Sequence, residues 1–134
     1  MDIIKQLLDI YYKYEYWHKN KMPYDVAYSY HKTLLENGNI IVHIKDGIVL
    51  GYVEFWKVTP EQIENILKEN FCADTENIKD GEVCYVANCW IQPEYRNNGV
   101  YKILKKKLFD ANDSPYYVGQ KAKFNKQLKI HRRN

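Results

Sequence analysis

Ile91-Gln-Pro-Glu-Tyr-Arg96-Asn-Asn-Gly99-Val-Tyr-Lys-Ile-Leu104 is the stretch from which the fold can be read outward. Before it, the apolar run from Val83 to Ile91 reads as a buried strand covering residues 82–91. After it, Val100, Ile103, Leu104 and Leu108 recur at helical spacing and predict a helix over residues 99–110. The loop between them holds one Pro, one Arg, two Asn and one Gly. A strand that turns through a glycine into a helix directs backbone N–H groups outward at the helix N-terminus, where an anion, most often a phosphate, is stabilised. The plain alternative is a βα turn whose glycine only supplies a positive φ angle.

Downstream, Asn112-Asp-Ser-Pro115 ends the helix and Tyr116-Tyr-Val-Gly119 reads as a short strand. Two strands flanking one helix form a βαβ unit with parallel strands. Upstream, residues 2–19 carry Ile3, Ile4, Leu7, Leu8, Tyr11, Tyr14 and Trp17 on one helical stripe. A second helix over residues 24–36 ends at Asn37-Gly38. Strands over residues 40–45 and 48–56 are joined by Asp46-Gly47, a strong hairpin signal. Thr59-Pro60-Glu61-Gln62 is a capping box that opens a short helix with Ile63, Ile66 and Leu67, and residues 71–81 read as a polar crossing loop. The chain is one α/β domain over residues 1–134, with a basic tail at 120–134.

Composition narrows the function classes. No apolar run approaches the roughly 20 residues that span a bilayer, and nothing at the N-terminus resembles a secretion signal. Cys84 and Cys89, five apart in one strand, are expected on opposite faces and unable to pair; with Cys72 they read as reduced core residues of a cytoplasmic protein. The histidines His18, His31, His43 and His131 show no ligand spacing, so no metal site is expected. No Ser/His/Asp or Cys/His arrangement emerges either. Lys121, Lys123, Lys126, Lys129, Arg132 and Arg133 follow Gly119 without an acid among them, so the body is slightly acidic although the chain carries +3 overall. That tail is suited to nucleic-acid phosphates, with Phe124 available for stacking, or to packing on the sheet edge. The aromatic first helix (Tyr11, Tyr12, Tyr14, Tyr16, Trp17) is core packing, a partner surface or one wall of a groove.

The stretch from Ile91 to Tyr101 resembles the signature of the GNAT superfamily of acyl-CoA-dependent N-acyltransferases. Pro93, Arg96 and Gly99 match it in order, and Tyr101 stands where that family prefers Gly or Ala. The resemblance implies a mixed sheet with an N-terminal helix pair, a central β-hairpin and a βαβ unit around a CoA loop. The family's first strand and its final helix and hairpin have no clear counterpart. Acetyl-CoA would then lie where the strand before the signature splays from the next parallel strand. Its pyrophosphate would meet Arg96, Asn97, Asn98, Gly99, Val100 and Tyr101, and its thioester the strand end at Ile91. The implied reaction is acetyl transfer to an amine. For the base, the resemblance offers Tyr85, eleven residues before Arg96, with Glu82 and Glu54 as further options. The family's proton-donating tyrosine after the second parallel strand has no match beyond residue 119, which leaves Tyr116 and Tyr117. The rival expectation is a non-catalytic GNAT-fold protein that binds a protein or nucleic acid through the basic tail, or an acyltransferase-like nucleic-acid modifier. A homo-oligomer in which a second copy completes the short C-terminus is a further expectation.

Overall fold

The computed structural model describes residues 2–14, 21–63, 81–120 and 128–132, with backbone alone for 120 and 128–132. Two helices come first, α1 (Ile3–Tyr14) and α2 (Tyr24–Glu36), then the strands β1 (Ile40–Lys45), β2 (Ile48–Val58) and β3 (Val83–Ile91). A single 3-10 turn at Pro93–Tyr95 leads to α3 (Val100–Ala111), followed by β4 (Tyr116–Gln120) and β5 (Leu128–Arg132). The strands form one sheet in the order β1-β2-β3-β4-β5. Only β3 and β4 run parallel, joined by α3 as the crossover.

The sequence patterns explain these elements. Asp46 and Gly47 both take positive φ, the condition for a tight two-residue hairpin between β1 and β2. The capping box forms as expected: the Gln62 N–H donates to Thr59 Oγ1 and the Thr59 N–H to Gln62 Oε1, each at 3.2 Å. Residues 60–63 are helical; the expected continuation through Ile66 and Leu67, the loop over 71–80, Trp17 and Cys72 lie outside the described residues.

The sheet separates two cores. On one face Leu7 and Ile10 of α1 and Leu34 of α2 pack on Tyr52, Trp56, Tyr85, Trp90 and Val118. On the other, Leu108 of α3 covers Val53, Phe55 and Cys84, while Val100 and Leu104 cover Leu50. Gly51 permits the close seat of α3: a Cβ there would stand 2.8 Å from the Trp90 carbonyl oxygen and 3.2 Å from Leu104 Cδ1. The tyrosines of α1 tie the chain's return into α2. Tyr12 donates to the Met22 carbonyl at 2.6 Å, and the Met22 N–H donates to the Tyr11 hydroxyl at 3.0 Å. Gln6 bridges α1 to the hairpin, donating to the Gly47 carbonyl and accepting from the Val49 N–H.

Three expectations are corrected. Residues 128–132 of the basic tail form an edge strand antiparallel to β4, so a terminal two-stranded unit is present after all. Glu82 stands just outside β3, in an exposed bend. Cys84 and Cys89 do not lie on opposite faces. Glu54 pairs with Asn88 but Phe55 with Val86, so Ala87 is an extra bulged residue that reverses the alternation beyond it. Cys89 thus returns to the α3 side and is exposed, while Cys84 is buried; both are free thiols.

Candidate functional site

The bulge at Ala87 coincides with a second event. Parallel pairing between β3 and β4 runs from Val83↔Tyr116 to Val86↔Gly119, while β3 continues to Ile91. Ladder pairing with β4 is described only as far as Val86, and beyond it β3 follows β2 while its other edge opens as a wedge toward the start of α3. The Gln92 N–H donates to the Leu50 carbonyl on the β2 side at 2.8 Å. Alternation along an extended chain therefore turns the N–H groups of Ile91 and Cys89 toward the open edge. Arg96 confirms the direction, since its Nε donates to the outward Ile91 carbonyl at 3.0 Å.

The loop after β3 supplies a cradle of donors. Asn97 (φ 68°) and Gly99 (φ 85°) are both left-handed, so the chain rises into α3 through alternating backbone hands. Such alternation points successive N–H groups inward on a common anion, and the N-terminus of a twelve-residue helix adds its dipole. Among the described residues, the N–H groups of Asn97, Gly99, Val100, Tyr101 and Lys102 have no acceptor. Gly99 faces open space, for a Cβ built on it meets nothing within 4 Å. These features fit a diphosphate. The guanidinium of Arg96 has no carboxylate partner among the described residues, which leaves its outer N–H groups for the same anion.

A cavity of about 580 Å³ lies beside the open edge. One wall is the end of α1, Lys13 and Tyr14; the other is Cys89, Trp90 and Ile91 of β3, with Pro93 and Arg96 of the loop. Tyr14 packs on Trp90 at 5.1 Å between ring centroids, and Trp90 stacks on Tyr52 at 6.4 Å. Behind them Asn88 donates to the Tyr52 hydroxyl at 2.7 Å. Although solvent reaches Cys89, its surroundings crowd the thiol enough that desolvation pushes its pKa up to about 11. Tyr101 is 55% exposed, so its ring does not fill the cradle that its N–H helps to form. Its pKa is raised by desolvation and by the neighbouring Tyr117 and Cys89.

The residues offered for catalysis are scattered. Tyr85 is 4% exposed and belongs to the core under α1 and α2, and it does not line the cavity. Glu82 lies seven residues before Cys89, roughly 20 Å away along an extended strand. Tyr117, half-buried on the α3 side, packs edge-on to Phe109 at 5.2 Å, and Tyr116 is exposed. Glu54 is half-buried on β2 opposite Asn88, and accepts from Trp56 Nε1 at 3.1 Å and from the Tyr30 hydroxyl at 3.3 Å. The sequence reading offered the aromatic face of α1, Tyr14 included, as one wall of a groove, but it singled out neither Lys13 nor the pairing of Tyr14 with Trp90. A helix end and a strand end meet there only in three dimensions, so no local signal marked them. In the tail, Lys129 and Arg132 lie in β5, and Lys121, Lys123, Lys126 and Arg133 lie outside the described residues. Among the described residues no His, Cys, Asp and Glu cluster could hold a metal, and no helix is long and apolar enough to cross a membrane.

A mixed sheet whose one parallel pair, β3 and β4, is joined through α3 defines an α/β fold. The chain belongs to the acetyltransferase (GNAT) family, whose description it matches over residues 4–113. Among solved structures it is similar to a GphF GNAT-like decarboxylase in complex with isobutyryl-CoA, with a TM-score of 0.61 and 11% identity. It is similar also to an N-acetyltransferase from Staphylococcus aureus Mu50, with a TM-score of 0.57 and 16% identity. Each match covers 87% of this chain, but only 60% of the first protein and 66% of the second. No curated protein matches it in sequence.

Proposed function

We propose that this protein transfers an acetyl group from acetyl-CoA to an amine, by direct attack within a ternary complex. The observation that carries the reading is the edge of β3 beyond its described ladder with β4, beside five N–H groups at the start of α3 that have no acceptor among the described residues. In this reading the pyrophosphate sits on the loop from Arg96 to Tyr101. The pantetheine runs along the open edge of β3, and an outward N–H of Cys89 or Ile91 polarises the thioester carbonyl. The neutral amine attacks the carbonyl carbon, a C–N bond forms, and the C–S bond breaks with its electron pair on sulfur. The amine must first lose a proton. Glu54, on the Trp90 side of the sheet, is assigned as the base, acting through water. Tyr117 and Tyr101 are the phenols assigned to return a proton to the thiolate.

Calorimetric titration with acetyl-CoA, followed by detection of released thiol with a panel of amines, tests this. Saturable binding, weakened by Arg96→Glu, is expected. An absence of binding at millimolar acetyl-CoA would remove the proposal.

A further inference from the structure

We infer that the acceptor end of the cavity takes a primary amine bearing a carboxylate on an apolar body, such as an apolar or aromatic α-amino acid, and disfavours polyamines. The reaction rests on the transferase reading above; the binding preference does not.

Charge is the first ground. Both ionic side chains on the cavity wall are cations, Lys13 and Arg96, and no carboxylate lines it among the described residues. Neither cation has an acid of its own there. The Lys13 ammonium sits 5.2 Å from the Tyr14 ring centroid, and Arg96 spends only its Nε, on the Ile91 carbonyl. Surface lysines elsewhere do find acids, as in Lys57–Asp113 and Lys106–Asp110. A polyamine entering this space would bring further positive charge against Lys13, and against Arg96 too when no acetyl-CoA is bound, cations with no acid partner among the described residues, whereas a carboxylate would be attracted. Position divides the two cations. Arg96 borders the N–H cradle of α3, and Lys13 stands on the opposite wall at the end of α1, so Lys13 is the one left for the acceptor.

The second ground is the wall itself. Tyr14 against Trp90 presents apolar ring surface beside Lys13, which suits an aliphatic or aromatic body next to a carboxylate. Lys13 would serve the chemistry as well, since a nearby cation disfavours the ammonium form of the incoming amine. Transfer then follows one balanced course. The nitrogen lone pair forms the amide bond, the C–S pair leaves with CoA, and the proton lost by nitrogen ends on the thiolate.

The test uses the full chain and three probes: phenylalanine, phenethylamine (the same body without the carboxylate) and spermidine. Binding of each is followed by ligand-observed NMR, with and without acetyl-CoA, and turnover by thiol release. Phenylalanine should bind best, ahead of phenethylamine by about fivefold, the scale of one solvent-accessible charge contact. Lys13→Glu should erase that preference and leave the acetyl-CoA affinity within about twofold of the parent. Equal or tighter binding of phenethylamine or spermidine overturns the inference, as does binding of none of the three. A Lys13→Glu variant that loses acetyl-CoA affinity but keeps its ranking of amines also overturns it. Lys13-dependent phenylalanine binding without acetyl-CoA binding leaves the inference standing and refutes the transferase reading instead.

Discussion

Replacing Gly99 by alanine separates the loop's shape from its space. A Cβ at this position touches nothing within 4 Å, so the substitution introduces no clash. The φ of 85° is the difficulty, because an L-residue with a Cβ is disfavoured in the left-handed region by about 1–2 kcal/mol relative to glycine. Two responses are open. If the introduced alanine stays left-handed, the free protein loses that stability and the cradle keeps its shape, so acetyl-CoA affinity holds. If the loop relaxes, the free protein is spared and the ligand must restore the strain, so affinity falls instead. Because the complex requires the left-handed residue in either case, the stability loss and the binding loss should sum to about 1–2 kcal/mol. For a chain of 134 residues the unfolding entropy is about 0.28 kcal/mol/K, so the full loss taken in stability lowers Tm by about 4–7 °C. The full loss taken in binding weakens Kd by about five- to thirtyfold at 25 °C. Gly99→Asn should give a smaller sum, since asparagine tolerates this region and Asn97 already occupies it (φ 68°). Calorimetry for Kd and thermal denaturation for Tm, on the same preparations, supply both quantities. A sum below about 0.3 kcal/mol for the alanine variant, or an asparagine variant worse than it, would refute the reasoning that a left-handed residue at this position builds the phosphate cradle.

Cys89, with its thiol pKa pushed up to about 11, should be alkylated slowly at neutral pH. Its rate should climb about tenfold per pH unit until near that value, and fall when acetyl-CoA is bound, as peptide mapping by mass spectrometry would show. Since the folded state holds the thiol proton more tightly than the unfolded chain, its contribution to stability is present below the ordinary thiol value and is lost as pH rises toward 11. Thr59→Ala removes the acceptor of the Gln62 N–H and should destabilise by about 1 kcal/mol in denaturant titration, with acetyl-CoA affinity unchanged. Glu54→Gln keeps an acceptor for Trp56 and Tyr30 but cannot take a proton. It should lower kcat by about a hundredfold with unchanged acetyl-CoA affinity and Tm, and an unaffected kcat would exclude Glu54 as the base.

By itself the sequence determined the elements and the glycine turn that opens α3. The apolar run Val83–Ile91, the Asp46-Gly47 turn, the capping box at Thr59 and the glycine before α3 all act within a few residues, so local pattern expresses them. Tertiary structure decided the rest. A one-residue bulge at Ala87 reverses which side chains face which core, and only the pairing of β3 with β2 reveals it. The same pairing turned Cys89 from a core residue into a cavity wall. The wedge begins where the described pairing of β4 with β3 ends at Gly119 while β3 runs on, a property of two strands about thirty residues apart. Lys13 and Arg96 share one cavity across 83 positions of chain. Their combined charge is a fact of packing, and no window of sequence contains both.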